Sequence, residues 1–301
     1  MLLLTALIQV LPSLAIKGLA SCNYFGLDKE SILFQNVCTC IEIIIYVLAF
    51  VLPILFILRF SPSALLKVSF TPAFPKKMPL VTLGTMGLIA LLGRVTVWFN
   101  SVFEKVGIGI REPSLTLPKD VWGVILLIIY SAIVPAIVEE ILFRKVILER
   151  LLPYGNVFAI VFSSVLFSAM HCNPSQFLYT FVGGVIFGIV ALKTRSVVPT
   201  MVIHFFNNML SVVYMTLYSF APYNYYVIIM YTVDSVISFL GVLVICRLIR
   251  SNWSPVEHIR KEKTVNEAYL DFSPTLSFPR LFMILYALYS IFLTARWIYI
   301  I

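Results

Sequence analysis

One uncharged stretch decides what this chain can be. Between Arg150 and Lys193 lie 42 residues without an Asp, Glu, Lys or Arg, and a helix or sheet facing water needs a polar side at far shorter intervals. Runs such as IEIIIYVLAFVLPILFIL and WGVILLIIYSAIV are apolar on nearly all sides. That pattern suits helices surrounded by lipid, whereas strands would have to alternate in polarity around a closed barrel. The composition agrees, with 60% hydrophobic and 12% charged residues against roughly 45–50% and 25% in soluble domains. A soluble enzyme is excluded. The expected fold class is all-α, a polytopic transmembrane helical bundle.

A membrane helix needs about 20 mostly apolar residues. Eight segments qualify: 37–59, 78–103, 120–150, 156–173, 174–192, 197–220, 224–249 and 277–299. The opening MLLLTALIQVLPSLAI is apolar but short. Leu19-Ala20-Ser21-Cys22 resembles a lipoprotein cleavage box, yet no basic stretch precedes the apolar one, and Lys17 interrupts the approach. A ninth span or an interfacial helix is therefore expected over a cleaved signal, giving about eight to nine spans.

The formal charge of +8 does not point to nucleic acid, because the basic residues are scattered between apolar runs instead of clustering on an aromatic-bearing domain. They read as topology determinants. The loops with Arg59, Lys67, Lys76 and Lys77, with Arg144, Lys145 and Arg150, and with Lys193 and Arg195 are predicted to be cytoplasmic. The polar stretch 250–276 lies on the same face. Five cysteines without a CxxC pair give neither a disulfide framework nor a thiolate metal site.

Charges within membrane helices cost about 2.5–3.5 kcal/mol each on insertion scales, so each demands a partner or a purpose. Glu42, Arg94 and Asp234 are isolated in sequence and are read as charges near span ends or paired across helices. The rest form three groups with i, i+4 spacing: Glu139-Glu140-x-x-x-Arg144, Phe167-x-x-x-His171 and His204-x-x-x-Asn208. Each spacing puts its two residues on one helix face. Glu140 can pair with Arg144 along its own helix, leaving Glu139, about 100° round, to point elsewhere.

Pro153-Tyr154-Gly155 is a turn signal. Glu139 lies 14 residues before Pro153 and His171 lies 16 after Gly155, which differ in depth by only about 3 Å at the helical rise. For His204, nine residues past Arg195 and about 13 Å inward, straight spans do not give the same level, so a kink at Pro174 or unequal spans would be required. A buried polar network that only fixes helix packing would need fewer groups. Two Glu, an Arg, two His and an Asn indicate a functional site, with hydrolysis, proton-coupled transport and metal binding all open.

At these residues the chain resembles the CAAX protease and bacteriocin-processing (CPBP) family of intramembrane glutamic endopeptidases. The EExxxR, FxxxH and HxxxN elements occur in the family's order over roughly residues 120–220. The resemblance implies an endopeptidase that cuts a lipidated, CAAX-type protein or a precursor peptide in the membrane. It implies that Glu139 is the general base activating a water, with His171 as its partner. Glu140 and Arg144 would support and orient that base, and His204 and Asn208 would stabilise the oxyanion. It implies no metal and no cofactor, and an active site open to the cytoplasmic side of a bacterial membrane. The expected organisation is N-terminal spans over 1–119, a catalytic membrane core over 120–220 and C-terminal spans over 221–301. The expected partners are membrane lipid and the peptide substrate, without nucleic acid.

Two alternatives stand beside this reading. Glu139, His171 and His204 would make an adequate zinc set, although no HExxH pair occurs. A proton-coupled transporter or an immunity protein could hold the same carboxylates, but a transporter is expected to carry inverted repeats or broken helices, which the sequence does not show. Gly184-Val-Ile-Phe-Gly188 is expected to serve close helix packing.

Overall fold

Caps, prolines and glycines cut the apolar sequence into helices at identifiable places. In the computed structural model, which describes residues 31–60, 68–110, 117–251 and 298–300, there are seven: α1 (Ile32–Phe60), α2 (Met78–Lys105), α3 (Val121–Tyr154), α4 (Asn156–Met170), α5 (Pro174–Thr194), α6 (Val198–Phe220) and α7 (Tyr223–Arg250). The Asp120 side chain accepts from the Gly123 amide at 2.7 Å and starts α3. Asn173 does the same for α5 through the Ser175 amide at 2.8 Å, with Pro174 in the first turn. Both side chains satisfy amides that the helix itself leaves unpaired. The expected turn after α3 is present: Leu152–Tyr154 tightens into a 3-10 turn and Gly155 takes φ +109°, which a side chain would resist.

Six of these helices are long and apolar enough to cross a membrane. Segment 156–173, expected to be a span, forms only the 15-residue helix α4. That is about 22 Å at the helical rise, short of the roughly 30 Å hydrocarbon core. It is cut off by the turn at Cys172, whose φ is +49°. The expected spans at 1–16 and 277–299 lie outside the described residues, except that residues 298–299 belong to β2 (Ile298–Ile300), which pairs antiparallel with β1 (Ile108–Ile110). The polar stretch 250–276 lies outside them beyond Ser251. Large apolar side chains such as Phe56, Trp122 and Phe239 are about two-thirds exposed, a surface suited to lipid rather than water. The protein is a multi-pass integral membrane protein.

The chain divides into two compact units. The first contains α1, α3 up to Leu142, α6 from Met201 and the start of α7, with α3 and α6 meeting in an apolar cluster of Leu127, Ala132 and Val212 against which Phe205 and Met209 pack.

The second unit contains α2, the remainder of α3, α4, α5 and the remainder of α7. Helices α4 and α5 pack along their length through the expected small residues: a Cβ on Gly184 would lie 3.1 Å from Ser164 Cβ, and one on Gly188 3.2 Å from Ile160. Helices α2 and α7 approach still more closely, a Cβ on Gly241 falling 2.6 Å from Gly87 Cα. Arg94 on α2 and Asp234 on α7, isolated in sequence, form an ion pair at 2.6 Å.

Helix α3 is irregular. It opens into π-helical turns at Ile129–Ile133 and Ile141–Leu148, on either side of the α-helical Val134–Glu140. The first stretch ends just before Pro135, whose ring cannot coexist with a regular preceding turn and donates no hydrogen bond. A wider turn absorbs that conflict.

Candidate active site

Three helices of the first unit bring polar groups together. The α-helical turn between the two π-helical stretches presents Glu139 and Glu140, 3% and 0% exposed. From α6 the His204 imidazole, also buried, sets Nδ1 3.1 Å from Glu140 Oε1 and Nε2 3.8 Å from Glu139 Oε2. From α1, the Tyr46 hydroxyl donates to Glu139 Oε1. The Tyr46 ring is held by Phe50, centroids 4.9 Å apart, and edge-on by Tyr130 at 6.0 Å.

The electrostatics follow from which atoms can donate. An ionised Glu140 only accepts, so the proton in its contact with His204 is on Nδ1, and Nε2 carries a second proton only in the imidazolium form. Glu139 differs in its two oxygens. Oε1 accepts from Tyr46, whereas Oε2 is buried without a hydrogen-bond partner among the described residues. Buried carboxylate oxygens are nearly always satisfied, and an exception calls for an explanation in terms of strain or chemistry.

His204 thus reaches both carboxylates, although spacing along straight spans would have left it at a different depth. That arithmetic assumes one constant rise, and α3 departs from it in the π-helical stretch Ile141–Leu148, which lies between Glu139 and Pro153. Asn208, one turn further along α6, has its Oδ1 3.5 Å from Asn207 Nδ2.

Arg144 and His171 belong to the second unit. The fully buried Arg144 guanidinium stacks over the rings of Phe167 and Phe187, at 5.1 and 5.7 Å from their centroids, an attraction of cation and π face that gains in strength away from water. His171 closes α4, with Nδ1 2.9 Å from the Phe167 carbonyl oxygen and its ring edge-on to the Phe167 ring. Phe167 therefore touches both Arg144 and His171.

Further along α1 and the beginning of α3, the first unit has a cavity of about 140 Å³ lined by Gln35, Asn36, Thr39, Glu42, Lys119 and Tyr130, among others. Glu42, isolated in sequence, faces this polar space. Tyr46 is the residue that sequence reasoning missed. Its signal was one phenol in the apolar run after Glu42, at the i, i+4 spacing that marks the other three groups. Among the described residues no group of three His, Cys, Asp or Glu side chains is arranged to hold a metal ion.

Among curated proteins and solved structures, none matches the chain. One family model does, over residues 121–210: Rce1-like, type II CAAX prenyl endopeptidase Rce1-like. The match covers the helices that carry all six residues picked out from sequence, and the family is one of membrane proteases. Residues 121–210 match the type II CAAX prenyl endopeptidase family, and that match supports the CAAX protease resemblance read from the sequence.

Proposed function

We propose that the protein is an intramembrane glutamic endopeptidase, in which Glu139 activates a water to hydrolyse a peptide bond of a lipidated, CAAX-type protein or of a precursor peptide. The observation that carries this reading is the asymmetry of Glu139: one oxygen held by a phenol, the other buried, without a hydrogen-bond partner among the described residues and 3.8 Å from an imidazole nitrogen. A base must have a lone pair within reach of the water it deprotonates. His204 Nε2, in the imidazolium form, and the Asn208 amide are the donors for the oxyanion that forms on the peptide carbonyl. Glu140 keeps His204 oriented. Arg144 and His171 enter the proposal through the family motif, Arg144 as support for the glutamate pair and His171 as partner of the base. The basic loops support an opening of the site toward the cytoplasmic side.

The test is hydrolysis by purified protein in proteoliposomes. A farnesylated peptide ending in a CAAX sequence should be cut after the prenylated cysteine, and its unprenylated counterpart more slowly. Equal rates on both would move the substrate to precursor peptides. Hydrolysis of neither, nor of any membrane-inserted precursor peptide, would overturn the protease reading.

A further inference from the structure

We propose that Tyr46 is a positioning residue for this reaction. By donating its phenolic proton to Glu139 Oε1, it reserves Oε2 as the oxygen that takes the proton from the attacking water. The inference rests on the reading of Glu139 as the base and adds a helix, α1, that lies outside the matched stretch 121–210.

A carboxylate has two equivalent oxygens, and a base that can use either, or rotate between them, is poorly placed against its water. The Tyr46 hydrogen bond removes that equivalence. A charge-assisted hydrogen bond fixes the plane of the carboxylate. The phenol is itself immobile, its ring packed on the fully buried Phe50 and edge-on against Tyr130. The free oxygen, Oε2, is the one that faces His204 Nε2 at 3.8 Å, beyond direct hydrogen-bond reach. Phenol and imidazole therefore stand on different oxygens of the same base.

The proton balance is simple. As the water oxygen bonds to the carbonyl carbon, its O–H breaks and the proton goes to Oε2. When the C–N bond breaks, that proton passes to the leaving nitrogen and Glu139 is again a carboxylate. Tyr46 keeps its own proton throughout. A purely structural role makes a different demand: satisfying a buried oxygen should matter for folding and leave turnover per folded molecule alone.

The experiment compares Tyr46→Phe, Glu139→Gln and the double variant in proteoliposomes, on a farnesylated CAAX peptide bearing a fluorophore and quencher. The infrared band of the Glu139 carboxylate is isolated by difference against Glu139→Gln. Tyr46→Phe should lower kcat roughly 10- to 100-fold, the worth of one hydrogen bond to a charged group, with KM little changed. It should also shift the Glu139 band and have no further effect in the Glu139→Gln background. Wild-type kcat per folded Tyr46→Phe molecule overturns the positioning role while leaving Glu139 as base. Activity surviving in Glu139→Gln overturns the reading of the base itself. If the wild-type protein leaves the peptide intact, the infrared band decides: a band unmoved by Tyr46→Phe overturns the inference, and a shifted one supports it.

Discussion

The two units treat buried charge in opposite ways. In the second, Arg94 meets Asp234 at 2.6 Å, and Lys145 meets Glu149 at 2.9 Å one turn along α3. Glu149 also accepts from the Val68 amide at 2.6 Å, and Lys145 donates to the Val68 carbonyl. Each anion has its cation, and the remaining lone pairs hold backbone. In the first unit, Glu139 has a phenol on one oxygen and its other oxygen buried 3.8 Å from an imidazole nitrogen, without a hydrogen-bond partner among the described residues. Matched pairs hold a structure together, whereas a carboxylate oxygen left unsatisfied in a dry site stores chemical reactivity at a cost in stability. The contrast separates structural from reactive carboxylates within one helix, because Glu139 and Glu149 both lie on α3.

The sharpest way to break the comparison is to exchange each carboxylate for its amide. Glu139→Gln should reduce peptide hydrolysis by about 100- to 10,000-fold, the usual worth of a general base, while membrane insertion and thermal unfolding remain near wild type. A rate within a few-fold of wild type would falsify the assignment of the base. Glu149→Gln should do the reverse. It strands Lys145 without its anion and should cost about 3–5 kcal/mol of stability, visible as a lowered Tm in detergent, with kcat per folded molecule unchanged. If Glu149→Gln kills turnover in folded protein, the division between the two units is wrong.

Smaller effects sharpen the reactive side. Asn208→Ala should lower kcat by roughly 100- to 1000-fold with little change in KM, as removal of an oxyanion donor does. His204→Ala should do the same and also lower Tm, since Glu140 loses its imidazole partner. A loss confined to KM would make both residues substrate-positioning groups. The smallest expected effect is none: prolonged treatment with 1,10-phenanthroline should leave the rate intact. Reversible loss of activity restored by zinc would reassign Glu139 and the histidines as ligands.

Much of this was legible in the sequence because it is local. The spans at 37–59, 78–103 and 224–249, the turn at Pro153-Tyr154-Gly155, and the close approach at Gly184 and Gly188 all follow from patterns within one or two helices. The three i, i+4 groups stood out because membrane helices rarely carry charge. What escaped was pairing over long separations. Tyr46 and Glu139 are 93 residues apart, and Arg94 and Asp234 are 140 apart, so no spacing rule connects them. Tyr46 was hidden further by its chemistry, since a phenol in an apolar run also suits an interface belt. Segment 156–173 misled for another reason: hydropathy continues through Cys172 and into α5, whereas the backbone turns there.

The irregularity of α3 has a consequence for chain length. A π-helical turn is an α-helix that has absorbed a surplus residue, so each such stretch amounts to an insertion accommodated without disturbing the helix faces on either side. Deleting one residue from Ile129–Ile133 should let the helix close into regular geometry with Glu139 still facing Tyr46 and His204. Deleting one from Val134–Val138, where nothing is surplus, should swing both glutamates by about 100° relative to the preceding turns. The number of residues before Glu139, as much as their identity, sets the direction in which the carboxylate points.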